Sequence, residues 1–271
     1  MRQSASTIAA LLMLLGPAAA GETPWQEVAP GVNIRMISTG QVKPDGTTLV
    51  ALELDMPAGT KTYWRVPGET GLPTDLDFSA NAQVKSHEML WPYPTREEQD
   101  GYLDYAYFGD TVLPVELTLA PGAHAADVAA TMGICSDICV PAQAHFTLAL
   151  DDAAPDRANG LRIRQALAMV PIEWTDPRQP VGDVTYDAAA AMLVVPVGDA
   201  AVDRDTLIAS TASGVPVFGA PQISPESNVV LIPVLGDIEE SELVGQTVQL
   251  SFTTGMGAFE LARTVKPAPG Q

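Results

Sequence analysis

Between residues 47 and 56 the chain alternates without a break. Val50, Leu52, Leu54 and Met56 fall on one face, and Ala51, Glu53 and Asp55 fall on the other. A period of two describes a strand with one face buried, and the same residues would be scattered around a helix. Pro57-Ala58-Gly59 closes this segment, and short apolar stretches ended by Gly or Pro recur along the chain. Residues 61–66 run up to Pro67-Gly68, and 84–91 run up to Pro92 and Pro94. Val115, Leu117 and Leu119 alternate with Glu116 and Thr118, and Phe146, Leu148 and Leu150 alternate further on. Residues 192–197, 229–234 and 247–253 read as further short strands. With 22 glycines and 23 prolines in 271 residues, turn signals are frequent enough for an all-β, antiparallel architecture.

The remaining segments are expected to be loops, a helix and a boundary. Residues 69–81, with Gly71, Pro73 and three acids, read as an irregular loop, and 96–101 as a polar surface loop. Residues 125–131 are Ala-rich and suit one or two helical turns. Residues 151–159 shift to an acidic, Ala/Pro-rich composition that marks a domain boundary, and 161–170 suit a helix that stops before Pro171. The expected order is therefore a leader over 1–20, a β-sandwich over 21–150, a linker with a short helix over 151–170, and a second β-sandwich over 171–267.

Residues 1–20 carry Arg2, an apolar run from Ile8 to Leu15 and the small residues Ala18-Ala19-Ala20, the pattern of a cleavable secretory signal. No later stretch is apolar for the roughly 20 residues that a membrane helix needs, so the mature chain is expected to be exported without inserting in the membrane. The formal charge of −19 excludes nucleic acid and anionic lipid as natural partners, since both reward a basic surface.

The only two cysteines, Cys135 and Cys139, are set within Gly133-Ile-Cys-Ser-Asp-Ile-Cys-Val-Pro141. On a straight strand, positions four apart are about twice too far apart for a disulfide, so a bonded pair requires a turn, which Ser136 and Asp137 favour. An oxidising compartment suits a pair that cycles through or rests in the disulfide state. About 250 residues do not need a staple, and a ring this short removes unfolded-state entropy worth about 2 kcal/mol. Three readings stand side by side: a redox-cycling dithiol, a static short disulfide, and a metal site. Zinc would lack ligands, with only His145 and Asp137 nearby, whereas copper(I) accepts fewer and softer donors. No Lys, Arg or His lies between Ala126 and Gln143, so the local sequence offers nothing to activate a thiolate.

His87, His124 and His145 show no metal-ligand spacing, and no phosphate loop, nucleophile-His-acid set or C-x-x-C motif is present. No cofactor is expected. The aromatics Tyr63, Trp64, Trp91 and those of 102–108 read as core or edge packing, with a lid over the cysteines as the functional alternative.

Tyr63-Trp-Arg-Val-Pro-Gly68, Gly71-Leu-Pro73, Trp91-Pro-Tyr-Pro94, Leu113-Pro-Val115 and Cys135-x-x-x-Cys139-Val-Pro141 follow one another in an order that resembles the periplasmic N-terminal domain of DsbD-type thiol:disulfide interchange proteins. The likeness is nearer to the ScsB-like branch, associated with copper tolerance, and it is good over about 25–150. The resemblance implies immunoglobulin-like sandwiches and a protein-disulfide reductase type of exchange. Cys135 and Cys139 would take electrons from a membrane-embedded thiol donor and pass them to periplasmic thioredoxin-fold proteins. It implies Cys139 as the partner-facing sulfur, Cys135 as the resolving one, and a cap within 96–108 to which Tyr102 and Phe108 would belong. DsbD proper spaces its cysteines further apart and carries a transmembrane and a thioredoxin domain, so here the donor is expected to be a separate chain. A copper(I)-binding or non-catalytic scaffold module is the alternative from a different class.

Overall fold

The half-buried strand at 47–56 lies at the centre of a five-stranded sheet. The computed structural model describes residues 21–80, 82–150, 155–225 and 228–268, so the leader and residues 151–154 of the expected linker lie outside the described residues. The first half contributes β1 (Gln26–Ala29), β2 (Val32–Val42), β3 (Thr47–Asp55), β4 (Lys61–Gly68), β5 (Asp75–Asp77), β6 (Val84–Met89), β7 (Thr95–Gln99), β8 (Tyr102–Phe108), β9 (Thr111–Leu119), β10 (Ala125–Cys135) and β11 (Cys139–Ala149). One sheet runs β1-β2-β3-β9-β6. The other runs β11-β10-β4-β8-β7, with β5 added on β10. Their inward rows, including Ile34, Leu52, Leu54 and Val115 from the first and Trp64, Tyr105, Met132 and Phe146 from the second, form one apolar core.

The outer face of β3 is also covered. Ala51 packs with Ile37 against Ile163 of the helix α1 (Arg157–Leu167). This helix starts four residues before the expected 161, because the Asp156 side chain accepts a hydrogen bond from the Asn159 backbone N–H at 2.9 Å and caps it.

Three expectations for the first half are corrected. Residues 96–101 are not a loop: Thr95–Gln99 pairs with β8 through a two-residue turn, Asp100-Gly101, with φ of 54° and 86°. Positive φ at both positions gives the twist that joins antiparallel strands tightly. Residues 125–131 are strand and not helix, since Ala126, Val128, Ala130 and Met132 alternate into the core. Residues 69–81 contain β5, paired to β10 at Ala129 to Thr131.

The second half forms mainly antiparallel sheets around another apolar cluster that includes Val195, Leu207, Phe218, Ile232, Leu250 and Phe252. The two halves touch. Ile208 belongs to the first core, Arg96 donates to the Asp205 carbonyl at 2.7 Å, and Arg65 donates to Glu260 at 3.0 Å. Among the described residues no helix is long and apolar enough to cross a membrane.

Candidate functional site

β10 and β11 stay in register from Ala125↔Ala149 to Cys135↔Cys139, so the cysteines are the last opposed pair before the loop Ser136-Asp137-Ile138. Directly opposed residues of an antiparallel pair come within disulfide reach. The Cα atoms are 4.1 Å apart and the sulfurs are bonded. The loop closes on itself through Ser136 N–H donating to the Ile138 carbonyl at 3.3 Å.

The two sulfurs sit in different surroundings. Cys135 is 1% exposed, in a small cluster with Tyr63 and Ala106. Cys139 is exposed at the surface, between Ile138, 74% exposed, and Val140. Tyr63 Oη lies 2.8 Å from Cys135 Sγ and 3.6 Å from Cys139 Sγ. A disulfide sulfur carries no proton, so in this state the hydroxyl is the donor.

Tyr63 is held by the segment Gly71-Leu72-Pro73, which is laid between β4 and β10. Tyr63 bridges to Pro73, and Gly133 N–H donates to the Leu72 carbonyl at 3.1 Å. A Cβ at Gly71 would lie 2.1 Å from Tyr63 Cδ1, so only glycine lets the segment come this near the ring.

Beside Tyr63, Lys61 pairs with Cys135 in register and points its ammonium at two carboxylates. Nζ bonds to Glu97 and, at 2.9 Å, to Asp104 Oδ2. Asp104 also accepts from the Thr70 backbone N–H at 3.2 Å and from Thr70 Oγ1 at 2.7 Å. The ammonium is 5.5 Å from the Tyr63 ring centroid. Burial disfavours charge on Lys61, but the hydrogen bonds that it donates to Glu97 and Asp104 outweigh this and raise its pKa above the ordinary 10.5. Burial likewise pushes the Tyr63 phenol up, partly offset by the Thr70 side chain and then by Lys61. The absence of a cation from 126–143 therefore does not describe the site, because β4 brings Lys61 to it.

Residues 34–151 match the family model for Thiol:disulfide interchange protein DsbD, N-terminal. That match takes in β3 to β11 and therefore both cysteines. The crystal structure of the N-terminal periplasmic domain of ScsB from Proteus mirabilis matches 92% of this chain and 100% of its own, with a TM-score of 0.71 and 19% identity, which shows a shared fold. The Titin Ig tandem domains A164-A165 align over 83% of this chain and 90% of their own at a TM-score of 0.19 and 8% identity, too low to support an argument. No curated protein matches the sequence.

In this DsbD-type domain a cleft of about 240 Å³ opens over the disulfide, lined by Lys61, Thr70, Asp100, Tyr102 and both cysteines among others. Tyr102, 55% exposed, thus stands on the rim beside the sulfurs. Phe108 pairs with Lys61 across the strands but lines a separate cavity of about 780 Å³ with Trp25, Tyr93 and Met169. Of the histidines, His87 packs on Phe78 at 4.9 Å, and His145 offers its carbonyl to Gln26 at 2.7 Å. Among the described residues no group of three or more His, Cys, Asp or Glu is arranged to hold a metal.

The Lys61 network gives the DsbD-type domain a defined alkaline limit. The folded-state pKa of Lys61 is raised, so its contribution is fully present below 10.5 and is lost as pH rises through the higher folded value. The stability gap between the native protein and Lys61→Gln, measured by urea unfolding, should be constant through neutral pH and should narrow above 10.5. A gap that closes already near neutrality would refute the network as described.

Proposed function

We propose that the chain is a periplasmic thiol–disulfide exchange protein of the protein-disulfide reductase type, working through Cys135 and Cys139. The observation that carries this reading is the asymmetry of the pair, with Cys139 exposed at a hairpin tip and Cys135 buried against a hydroxyl donor. In the forward sense, the Cys139 thiolate attacks a partner disulfide and releases one partner thiolate. Cys135 then attacks Cys139, closing the ring and freeing the second partner thiol. Two electrons leave the chain and reduce one partner disulfide. A membrane-embedded thiol donor on a separate chain would restore the dithiol, and the acceptors would be periplasmic thioredoxin-fold proteins.

The architecture proposed for this role is a pair of immunoglobulin-like sandwiches over 21–150 and 171–267, joined by the linker 151–170. The first carries the disulfide, and the second braces β4 and β7 through Arg65 and Arg96. In this reading Tyr102 serves as the cap's aromatic cover, supported by its place on the rim of the cleft. Phe108 contributes to the cap from outside that lining, on the side of the larger cavity.

The test follows both proteins at once. The reduced chain is mixed with an oxidised thioredoxin-fold protein, quenched in acid, alkylated and weighed. This chain should lose two alkylatable thiols as the partner gains two. If the chain keeps both while the partner stays oxidised, the exchange reading fails.

A further inference from the structure

We propose that Tyr63 is a catalytic hydrogen-bond donor, its hydroxyl taking up the negative charge that appears on Cys135 when the disulfide is opened at Cys139. The proposal rests on the exchange reading only for its biological use, because the chemistry itself can be driven by any small thiol. An attacking thiolate bonds to Cys139 Sγ, the Cys135–Cys139 bond breaks, and its electron pair stays on Cys135 Sγ as a thiolate. No proton has to move, because Tyr63 keeps its own and points it at the sulfur. At 2.8 Å from Cys135 and 3.6 Å from Cys139, the same hydroxyl also reaches the other sulfur when charge lies there.

Cys135, which carries the leaving sulfur, is 1% exposed, so water cannot solvate the charge freely. The ionisable groups facing the cleft are Lys61 on β4, Glu97 on β7, Asp104 on β8, Asp100 in the β7–β8 turn and Tyr102 on its rim, with Asp137 in the cysteine loop beyond. Lys61 is already shared between Glu97 and Asp104, and the acids oppose a thiolate. A neutral O–H dipole held in place by Gly71 and Pro73 is the group that answers the charge without bringing a countercharge. Burial holds the phenol protonated through neutral pH, so it remains a donor.

Tyr63→Phe keeps the packed ring and removes only the hydroxyl. Reduction of the oxidised protein by dithiothreitol should slow by about tenfold to a hundredfold, the worth of one hydrogen bond to a charged group. In a Cys139→Ser background, the ultraviolet thiolate absorbance of Cys135 should appear only at higher pH once Tyr63 is changed. A reduction rate within about twofold of native, or an unmoved absorbance profile, overturns the proposal, being far below a charged hydrogen bond. If Tyr63→Phe does not melt cooperatively, 3-fluorotyrosine at position 63 supplies the same test: its more acidic hydroxyl should speed reduction, and no change overturns the assignment. Neither assay uses a protein partner. A chain that fails to exchange with thioredoxin-fold proteins yet slows with Tyr63→Phe would sink the exchange reading and leave the role of Tyr63 standing.

Discussion

A Cys135→Ser variant should accumulate a mixed disulfide with an oxidised thioredoxin-fold partner, and a Cys139→Ser variant should not. The expectation comes from access and from the order of events. β11 is the edge strand of its sheet, and Cys139, an exposed residue, opens it. Val140 and Pro141 follow, and a proline removes a backbone donor at a place where an incoming chain can lie alongside. In Cys135→Ser the attacking sulfur survives while the resolving sulfur is gone, so the adduct cannot be released from within the chain. In Cys139→Ser the remaining sulfur is 1% exposed beneath Tyr63. Displacement of a reacting atom by about an ångström already costs about a hundredfold in rate, so a sulfur covered in this way should meet a partner disulfide far more slowly than Cys139 does. The readout is the amount of reducible adduct on a non-reducing gel. Equal trapping by the two variants, or the reverse order, would mean that the roles of the cysteines are misassigned even where exchange itself is observed.

The parts of the fold that were legible in the sequence are those where side-chain chemistry and burial agree. β3 is the clearest, with Val50, Leu52, Leu54 and Met56 all in the core as their alternation predicts. β7 was hidden because its residues are charged on both faces, which reads as a solvated loop. One face of it serves the cleft through Glu97, and the other serves the second half through Arg96. The Asp100-Gly101 pair was the available signal, since it is a favoured two-residue hairpin turn. β10 was hidden by alanine, whose helix propensity outweighed a period of two that Val128 and Met132 already showed. The start of α1 was obscured by Asn159 and Gly160, poor helix formers tolerated there because Asn159 is buried and its side-chain amide donates to the Gly21 carbonyl at 3.3 Å and to Asp156 at 2.9 Å.

The site was legible only as far as it is local. Two cysteines four apart with Ser and Asp between them announce a bonded turn, and that is what β10 and β11 make. Tyr63 read as packing because its ring is packed; its hydroxyl finds Cys135 across 72 positions of sequence. Lys61, Glu97 and Asp104 meet only because β4, β8 and β7 are neighbours in one sheet, a fact that no window of sequence contains. The motif Gly71-Leu-Pro73 carried the resemblance, and its physical reason, the close approach to Tyr63, is visible only in three dimensions.

Gly68→Ala should be among the most damaging single substitutions in the first half, although it adds one methyl group. Gly68 ends β4 with φ of 91°, opposite Asp104, just after the register of β4 on β8 slips. An added Cβ would lie 2.1 Å from the Leu103 carbonyl oxygen and 2.8 Å from Asp104 Cα, both backbone atoms that cannot rotate away. The strands would have to part. That would stretch the bond from Glu69 N–H to the Leu103 carbonyl, 2.9 Å, and that from Leu103 N–H to the Glu69 carboxylate, 2.8 Å. Left-handed backbone strain alone costs about 1–2 kcal/mol. With loosened hydrogen bonds the total should reach about 3 kcal/mol or more, a fall in melting temperature of roughly 10 °C for a chain of this size. Asp104 would move with its strand and slacken its hold on Lys61 and Thr70, so the cleft over the disulfide should change as well. Gly122→Ala provides the contrast: its φ is 77°, but nothing lies within 4 Å of the added carbon. It should show the backbone strain alone and leave the rate of reduction by dithiothreitol unaltered. If the two substitutions lower the melting temperature equally, the close approach of β4 to β8 at Gly68 is not what holds Asp104 in place.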